Sequence, residues 1–371
     1  MAARKNSRYL KQLDGLRAFS VAAVAWNHWG PYGFPKSQIP WGELGVETFF
    51  VISGFLITGI LLDNRSETAT PFILKQFYIR RFLRIFPLFY ATLVIALIWN
   101  ANSVRETWYW HAGYLSNIYF YLHGWCGQLS HFWSLAVEEQ FYLLWPLLMV
   151  FLPNRFLLTT IVAAIASAPV FEIGMDSFFP GHFDVTASVL TPSCLDALGI
   201  GALMAYGVRK NYPMKRIVVA LLLVGLIGCP SCHFFNVSAP IARLAEDCIL
   251  GWLVFSAAQG FRGPFGWLLE CAPLNYLGKI SYGLYVFHNF ANSMTLHMIM
   301  LFRSPPWLMN LYGIPSVRIL IFAGLTVGLA SYSWHRFEKP INDLKRKFPY
   351  PDEKQFPAFS PPQTNIPNPL P

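Results

Sequence analysis

The stretch GVETFFVISGFLITGILL, residues 45–62, carries a single charged side chain, Glu47, in eighteen positions. A helix needs about 20 apolar residues to cross the ~30 Å hydrocarbon core of a bilayer. Nine more runs of this kind lie around it, at 16–34, 82–100, 134–152, 156–172, 190–208, 217–235, 241–259, 281–301 and 316–334. Composition agrees with them. Of 371 residues, 54% are hydrophobic and 13% charged, with a mean hydropathy of +0.40. A soluble domain has about 25% charged residues with which to cover its surface. The 13 Trp, 17 Tyr and 32 Phe suit a membrane interface. Disordered, fibrous and disulfide-scaffold classes are excluded, and the chain reads as an all-α polytopic membrane bundle of about ten transmembrane helices. Segment 108–122 is nearly as apolar, but His111, Ser116 and Asn117 place it as an interfacial or re-entrant piece.

The formal charge of +9 raises nucleic acid as a partner, and the positions of the charges decide against it. With an even number of spans both termini share one side. Lys36, Arg105, Arg243, Arg303 and Arg318 fall on the other side, and the remaining 23 of the 28 Lys and Arg fall with the termini. Basic residues gather in cytoplasmic loops, so both termini are predicted to be cytoplasmic and the charge to face membrane lipids. The first span has no small-residue cleavage site after it, which predicts a retained helix rather than a signal peptide. Residues 1–340 read as a transmembrane domain and 341–371 as a Pro-rich cytoplasmic tail without structure. No internal repeat is evident, which weakens an inverted-repeat transporter. The cysteines form no metal pattern, and Cys229 and Cys232 are expected to pair or stay free.

Ionisable side chains inside a bilayer cost free energy, so each is a candidate site. The first span, LDGLRAFSVAAVAWNHWG (13–30), contains Asp14, Arg17 and His28. Arg17 and His28 are eleven residues apart, which is about 20° past three helical turns and about 16 Å along the axis. They share a face, with the guanidinium near the cytoplasmic surface and the imidazole near mid-bilayer. The planar fork of arginine suits phosphate, and histidine takes a hydroxyl proton near neutrality. A ligand with phosphates at one end and a reactive group at the other, such as an acyl-coenzyme A, has the shape to lie along that face. A snorkelling arginine and a hydrogen-bonded core histidine would give the same spacing.

Four more segments carry candidates. In 45–62, Gly45, Ser53, Gly54 and Gly59 are small residues that permit close helix approach. Ser53 is also a candidate on the donor, although no base partner is visible for it as a nucleophile. FYIRRFLRIFPLFY (77–90) places Arg80, Arg81 and Arg84 just before a span. They serve as lipid head-group anchors and add phosphate-binding charge beside Arg17. HFWSLAVEEQFYLLWP (131–146) sets His131, Glu138 and Glu139 at the outer entry of a span, where the macrodipole favours carboxylates. Adjacent helical residues point about 100° apart, so only one glutamate is expected to face a given pocket. ISYGLYVFHN (280–289) adds Ser281, Tyr282, Tyr285 and His288, and a second intramembrane histidine favours a shared polar cavity. Glu338 in WHRFEKP (334–340) is expected in a surface salt bridge with Arg336 or Lys339.

In this order, from residue 13 to about 340, these phrases resemble the membrane-bound acyltransferase family 3. The resemblance implies a ten-helix enzyme of the bacterial inner membrane that moves an acyl group, commonly acetyl, from a cytoplasmic donor to a sugar hydroxyl. Acceptors in the family include lipopolysaccharide, exopolysaccharide, peptidoglycan, lipochitooligosaccharides and macrolides. The family's arginine and histidine motif falls on Arg17 and His28. Its Gly-Val-Asp-Leu-Phe-Phe phrase matches Gly45 to Phe50, with Glu47 for the aspartate and Thr48 for an apolar residue. Its Trp-Ser-Leu-Ser-Val-Glu-Glu-Gln phrase has Ala136 for the second serine, which argues against a need for that hydroxyl. Some relatives continue into an esterase-like domain, whereas only a short tail follows here, so a hand-off outside would require another protein.

Two classes of function follow. The first is an O-acetyltransferase with acyl-CoA as donor substrate, no tightly bound cofactor or metal, and a carbohydrate acceptor. Arg17, Arg80, Arg81, Arg84 and Ser53 would hold the donor, and His28, Glu138, Glu139 and His288 would form the catalytic centre. The second is a transporter or flippase for a sugar or lipid that uses the same polar groups as a path.

Overall fold

The computed structural model describes residues 10–30, 39–65, 70–99, 104–179, 185–235, 237–301 and 306–350. Arg4, Lys5, Arg8, Lys36, Arg303, Lys354 and the tail 351–371 lie outside the described residues. Regular structure among the described residues is helical. In chain order it comprises α1 (Lys11–Trp29), α2 (Trp41–Asn64), α3 (Thr70–Trp99), α4 (Val104–Ala112), α5 (Ser116–His123) and α6 (Phe132–Phe151). Then come α7 (Asn154–Phe178), α8 (Leu195–Arg209), α9 (Met214–Phe234), α10 (Ala239–Gln259), α11 (Gly263–Glu270) and α12 (Ala272–Lys279). The last are α13 (Ser281–Phe287), α14 (Ala291–Leu301), α15 (Pro306–Gly313), α16 (Pro315–Ser333) and α17 (Lys339–Asp343).

Among the described residues, six stretches are long and apolar enough to cross a membrane: Trp41–Asp63, Pro71–Trp99, Phe132–Phe151, Asn154–Phe178, Met214–Phe234 and Pro315–Lys347. The chain is a multi-pass membrane protein. The other four predicted spans depart from a plain apolar helix for visible reasons. α1 carries Lys11, Asp14 and Arg17 in its first half. α8 has only 15 residues, because the chain before it is wound into short 3-10 turns at Ala187–Val189 and Thr191–Cys194. α10 carries Arg243, Glu246 and Asp247. The run 281–301 is not one helix: a 3-10 turn at His288–Phe290 separates α13 from α14. Segment 108–122 is divided between α4 and α5, with a left-handed Tyr114 (φ 52°) in the connection.

α2 is the hub of the bundle. It meets α8 backbone to backbone: a Cβ on Gly54 would overlap the Leu198 carbonyl oxygen, and one on Gly201 the Val51 carbonyl oxygen. Small residues at such crossings let helices approach closely in lipid. Asp63 grips Arg209 with two hydrogen bonds, to Nε at 2.6 Å and NH2 at 2.5 Å, and so ties the ends of α2 and α8 together. Overpacking typically costs about 1–3 kcal/mol, and backbone cannot rotate out of the way as a side chain can. Gly54→Ala is therefore expected to lower the melting temperature of the solubilised protein, and an unchanged transition would show that the crossing is looser than described.

The direction of the helices gathers particular residues at each end. The end of α1 and the starts of α2, α6, α8 and α10 enclose one cavity, and Trp29 packs there on Phe322 of α16. At the opposite end, Lys279 lies over the Trp334 ring at 5.6 Å.

The chain after α16 corrects two expectations. Residues 341–350 are ordered, because they pack on α3: Arg80 donates to the Phe348 carbonyl (3.2 Å) and lies 4.7 Å over the Tyr350 ring. Glu338 is buried and accepts from Ser333 at 2.8 Å, while Lys339 pairs with Asp343 at 2.7 Å, so no surface salt bridge of Glu338 forms with Arg336 or Lys339. The six cysteines are free thiols, Cys229 and Cys232 among them.

Candidate active site

α1 stops at Trp29, where the Gly30 amide donates to the Trp26 carbonyl at 2.8 Å. His28 therefore stands in the last turn of α1. The break between α13 and α14 brings His288 against it, with ring centroids 4.9 Å apart and His288 Nε2 3.2 Å from His28 Nδ1. His131, at the start of α6, packs edge-on to His288 at 4.8 Å.

Neighbouring carbonyls assign the protons of this pair. The Tyr285 carbonyl lies 2.5 Å from His288 Nδ1, so that nitrogen donates and His288 Nε2 is left as an acceptor. His28 Nδ1 faces this acceptor and the Val24 carbonyl at 3.0 Å, and so carries the proton that it shares between them. The lone pair of His28 then sits on Nε2, which has no hydrogen-bond partner among the described residues. Cavities of about 430 and 340 Å³ adjoin the ring.

Nearer the start of α1, Arg17, Arg81 and Arg84 line a narrower cavity of about 90 Å³ with Ser53, Glu138, Glu139 and Tyr142. Arg17 donates to Asp14 through NH1 at 2.7 Å, and its other nitrogens make no hydrogen bond to described residues. Arg81 lies 5.1 Å over the Tyr142 ring. Arg80 turns the opposite way, toward Phe348 and Tyr350, and does not line the cavity. Ser53 donates to Glu138 Oε1 at 2.6 Å and bonds the Tyr142 hydroxyl at 2.9 Å, so it has a carboxylate partner that sequence spacing did not reveal.

Both glutamates line this cavity, against the expectation that only one would face it. The cavity wraps around α6: Glu138 meets Ser53 of α2, while Glu139 also borders a groove with Phe82 and Phe86 of α3. Nor do they occupy a first turn. α6 begins at Phe132, which sets them about two turns in, beyond the reach of the macrodipole. Val46, Phe50 and Tyr285 are walls of both the arginine cavity and the larger histidine cavity. The two are therefore neighbours along α1.

The histidine cavity has an acidic far wall made of Glu43 and Glu47 from α2, Asp196 from α8 and Arg243 from α10. Arg243 is clasped by Glu172 of α7, with NH1 3.1 Å from Oε1 and NH2 on Oε2, and also donates to the Ser193 carbonyl at 3.1 Å. Its Nε stands 3.5 Å from Asp196 and 3.8 Å from Glu47. Asp247 is fully buried, and neither of its oxygens has a hydrogen-bond partner among the described residues. Counting of charges had placed Arg243 on the side opposite the termini as a topology signal, whereas it is a partly buried hub between helices. Glu172, Asp196 and Asp247 were overlooked, although each lies inside a predicted span and the cost of intramembrane charge marks it. Trp125 and Trp133 complete the wall, and no sequence signal pointed to them.

The family model of acyltransferase family 3, described as "Acyltransferase domain", matches residues 10–340. O-acetyltransferase OatA of Staphylococcus aureus (strain NCTC 8325 / PS 47) is 28% identical over 372 aligned positions, covering 90% of this chain and 57% of the relative. Peptidoglycan O-acetyltransferase OatA of Listeria monocytogenes serovar 1/2a is 28% identical, covering 91% of this chain and 56% of the relative. The chain thus spans a little over half the length of these curated relatives. No solved structure gives a significant match.

Proposed function

The chain belongs to the membrane-bound acyltransferase family 3, and we propose that it is an O-acetyltransferase that carries acetyl from acetyl-CoA to a hydroxyl of a cell-envelope glycan. One observation supports the reading: the arginine cavity and the histidine cavity share the walls Val46, Phe50 and Tyr285, so they lie side by side where one elongated ligand would extend along α1. Coenzyme A has phosphates at one end and a thioester at the other. The arginine cavity is narrow, so the nucleotide sits at its mouth against Arg17, Arg81 and Arg84, and the pantetheine arm passes inward toward His28. Arginine forks match phosphate oxygens in pairs. Arg80, turned to Phe348, contributes only long-range charge.

The acceptor sugar occupies the larger cavity. His28 Nε2 takes the proton of its hydroxyl while the oxygen attacks the thioester carbonyl, and the departing thiolate takes that proton back. Ser53, bonded to Glu138, lines the path of the arm. The arginine end faces the cytoplasm together with both termini. α1, α8, α10 and the α13–α14 pair complete a ten-pass bundle with the six apolar stretches, in the inner membrane of a bacterium. The names of the relatives support a glycan acceptor. Mass spectrometry of envelope glycans from cells with and without the gene tests this reading: a 42 Da acetyl increment is expected only with the gene, and identical spectra would refute it.

His288 acts through His28. His288→Phe keeps a ring in place but removes the Nε2 acceptor that helps fix the His28 tautomer. Loss of an orienting partner typically costs a functional histidine about 10–100-fold in activity. A similar fall in kcat is expected, with a displaced pH profile and an unchanged KM for acetyl-CoA. A merely structural role would leave the pH profile where it was.

A further inference from the structure

We infer that the acidic wall of the histidine cavity selects acceptors by charge, admitting neutral or amino-bearing sugars and excluding those that carry a carboxylate. The inference rests on the reading that the acceptor lies beside His28, and it assigns the chemistry of that half of the site. The cavity measures about 430 Å³, room for a pyranose ring. Trp125 and Trp133 line it with ring centroids 6.5 Å apart and planes at 61°, which offers two apolar faces to the C–H surface of a sugar.

Glu47 and Asp196 line the same cavity, with relative exposures of 7% and 1%. Glu47 Oε2 and Asp196 Oδ2 accept no hydrogen bond among the described residues. A buried oxygen of this kind lacks the donor that nearly all such groups have. Hydroxyl and ammonium groups supply donors. A ligand carboxylate supplies none, so both oxygens stay without a donor against it. Arg243 does not offer an anionic sugar an anchor, because Glu172 clasps its NH1 and NH2 and its Nε already faces Asp196.

The test uses the full chain in lipid nanodiscs without acetyl-CoA. Saturation-transfer NMR compares methyl β-glucoside, methyl β-glucosaminide and methyl β-glucuronide, which differ in charge on similar rings. The glucosaminide is expected to bind at least as tightly as the glucoside, and the glucuronide at least about tenfold more weakly. Asp196→Asn is expected to narrow that gap. Equal or tighter binding of the glucuronide, or binding of none of the three, overturns the inference. Because no donor is present, the result does not depend on transfer: the expected order without any transfer activity would uphold this site and remove the proposed reaction.

Discussion

Replacing His28 with alanine is expected to lower acetyl transfer by about 10²–10⁴-fold, the usual contribution of a positioned general base. The ring stands where two cavities meet and holds its proton on Nδ1, so the basic nitrogen is the one without a partner. Folding should survive. The imidazole lies at the end of α1 beside cavities from which water can replace it, and its one hydrogen bond to another side chain among the described residues is to His288 at the α13–α14 break. Transfer by equal amounts of folded wild-type and mutant protein measures the effect. A mutant that keeps more than about a tenth of the activity would show that another group takes the proton.

Arg17 should behave differently, because it stands about 16 Å from His28 by helix rise. Arg17→Ala removes charge-assisted hydrogen bonds worth about 1.5–3 kcal/mol. KM for acetyl-CoA is expected to rise about 10–100-fold with kcat changed less, the pattern of lost uniform binding. Arg17→Lys retains charge without the fork and should move KM in the same direction by less. The bond from Arg17 to Asp14 suggests an alternative, that the arginine only braces the start of α1. Bracing predicts poor expression and a lowered melting temperature, with an unaltered KM in whatever protein folds. A collapsed kcat at constant KM would instead move Arg17 into the reacting centre.

Much of the arginine cavity was legible because it is local. Eleven residues within one helix fix the relation of Arg17 to His28, and the arginines of 80–84 follow in a single phrase. The acidic wall was not legible in the same way. Its side chains come from α2, α7, α8 and α10, and only tertiary packing brings Glu47, Glu172, Asp196 and Arg243 within reach of one another. The break at His288 has a similar origin. ISYGLYVFHN contains no proline, and its one glycine lies five residues before the break. What holds the turn is distant: Trp29 Nε1 donates to the His288 carbonyl at 2.9 Å, and Asn289 donates to the Gln128 carbonyl at 2.7 Å. Helical periodicity carries no record of those partners.

The central claim is that one protein holds acetyl-CoA and a sugar on either side of His28 and joins them. Its most direct measurement is the release of free coenzyme A thiol by the purified full chain in nanodiscs, with and without added glycan. Glycan-dependent thiol release is expected from the wild type, and almost none from His28→Ala. An intact thioester in the presence of glycan, combined with uptake of the same sugar into proteoliposomes, would contradict the claim and make the polar cavities a transport path.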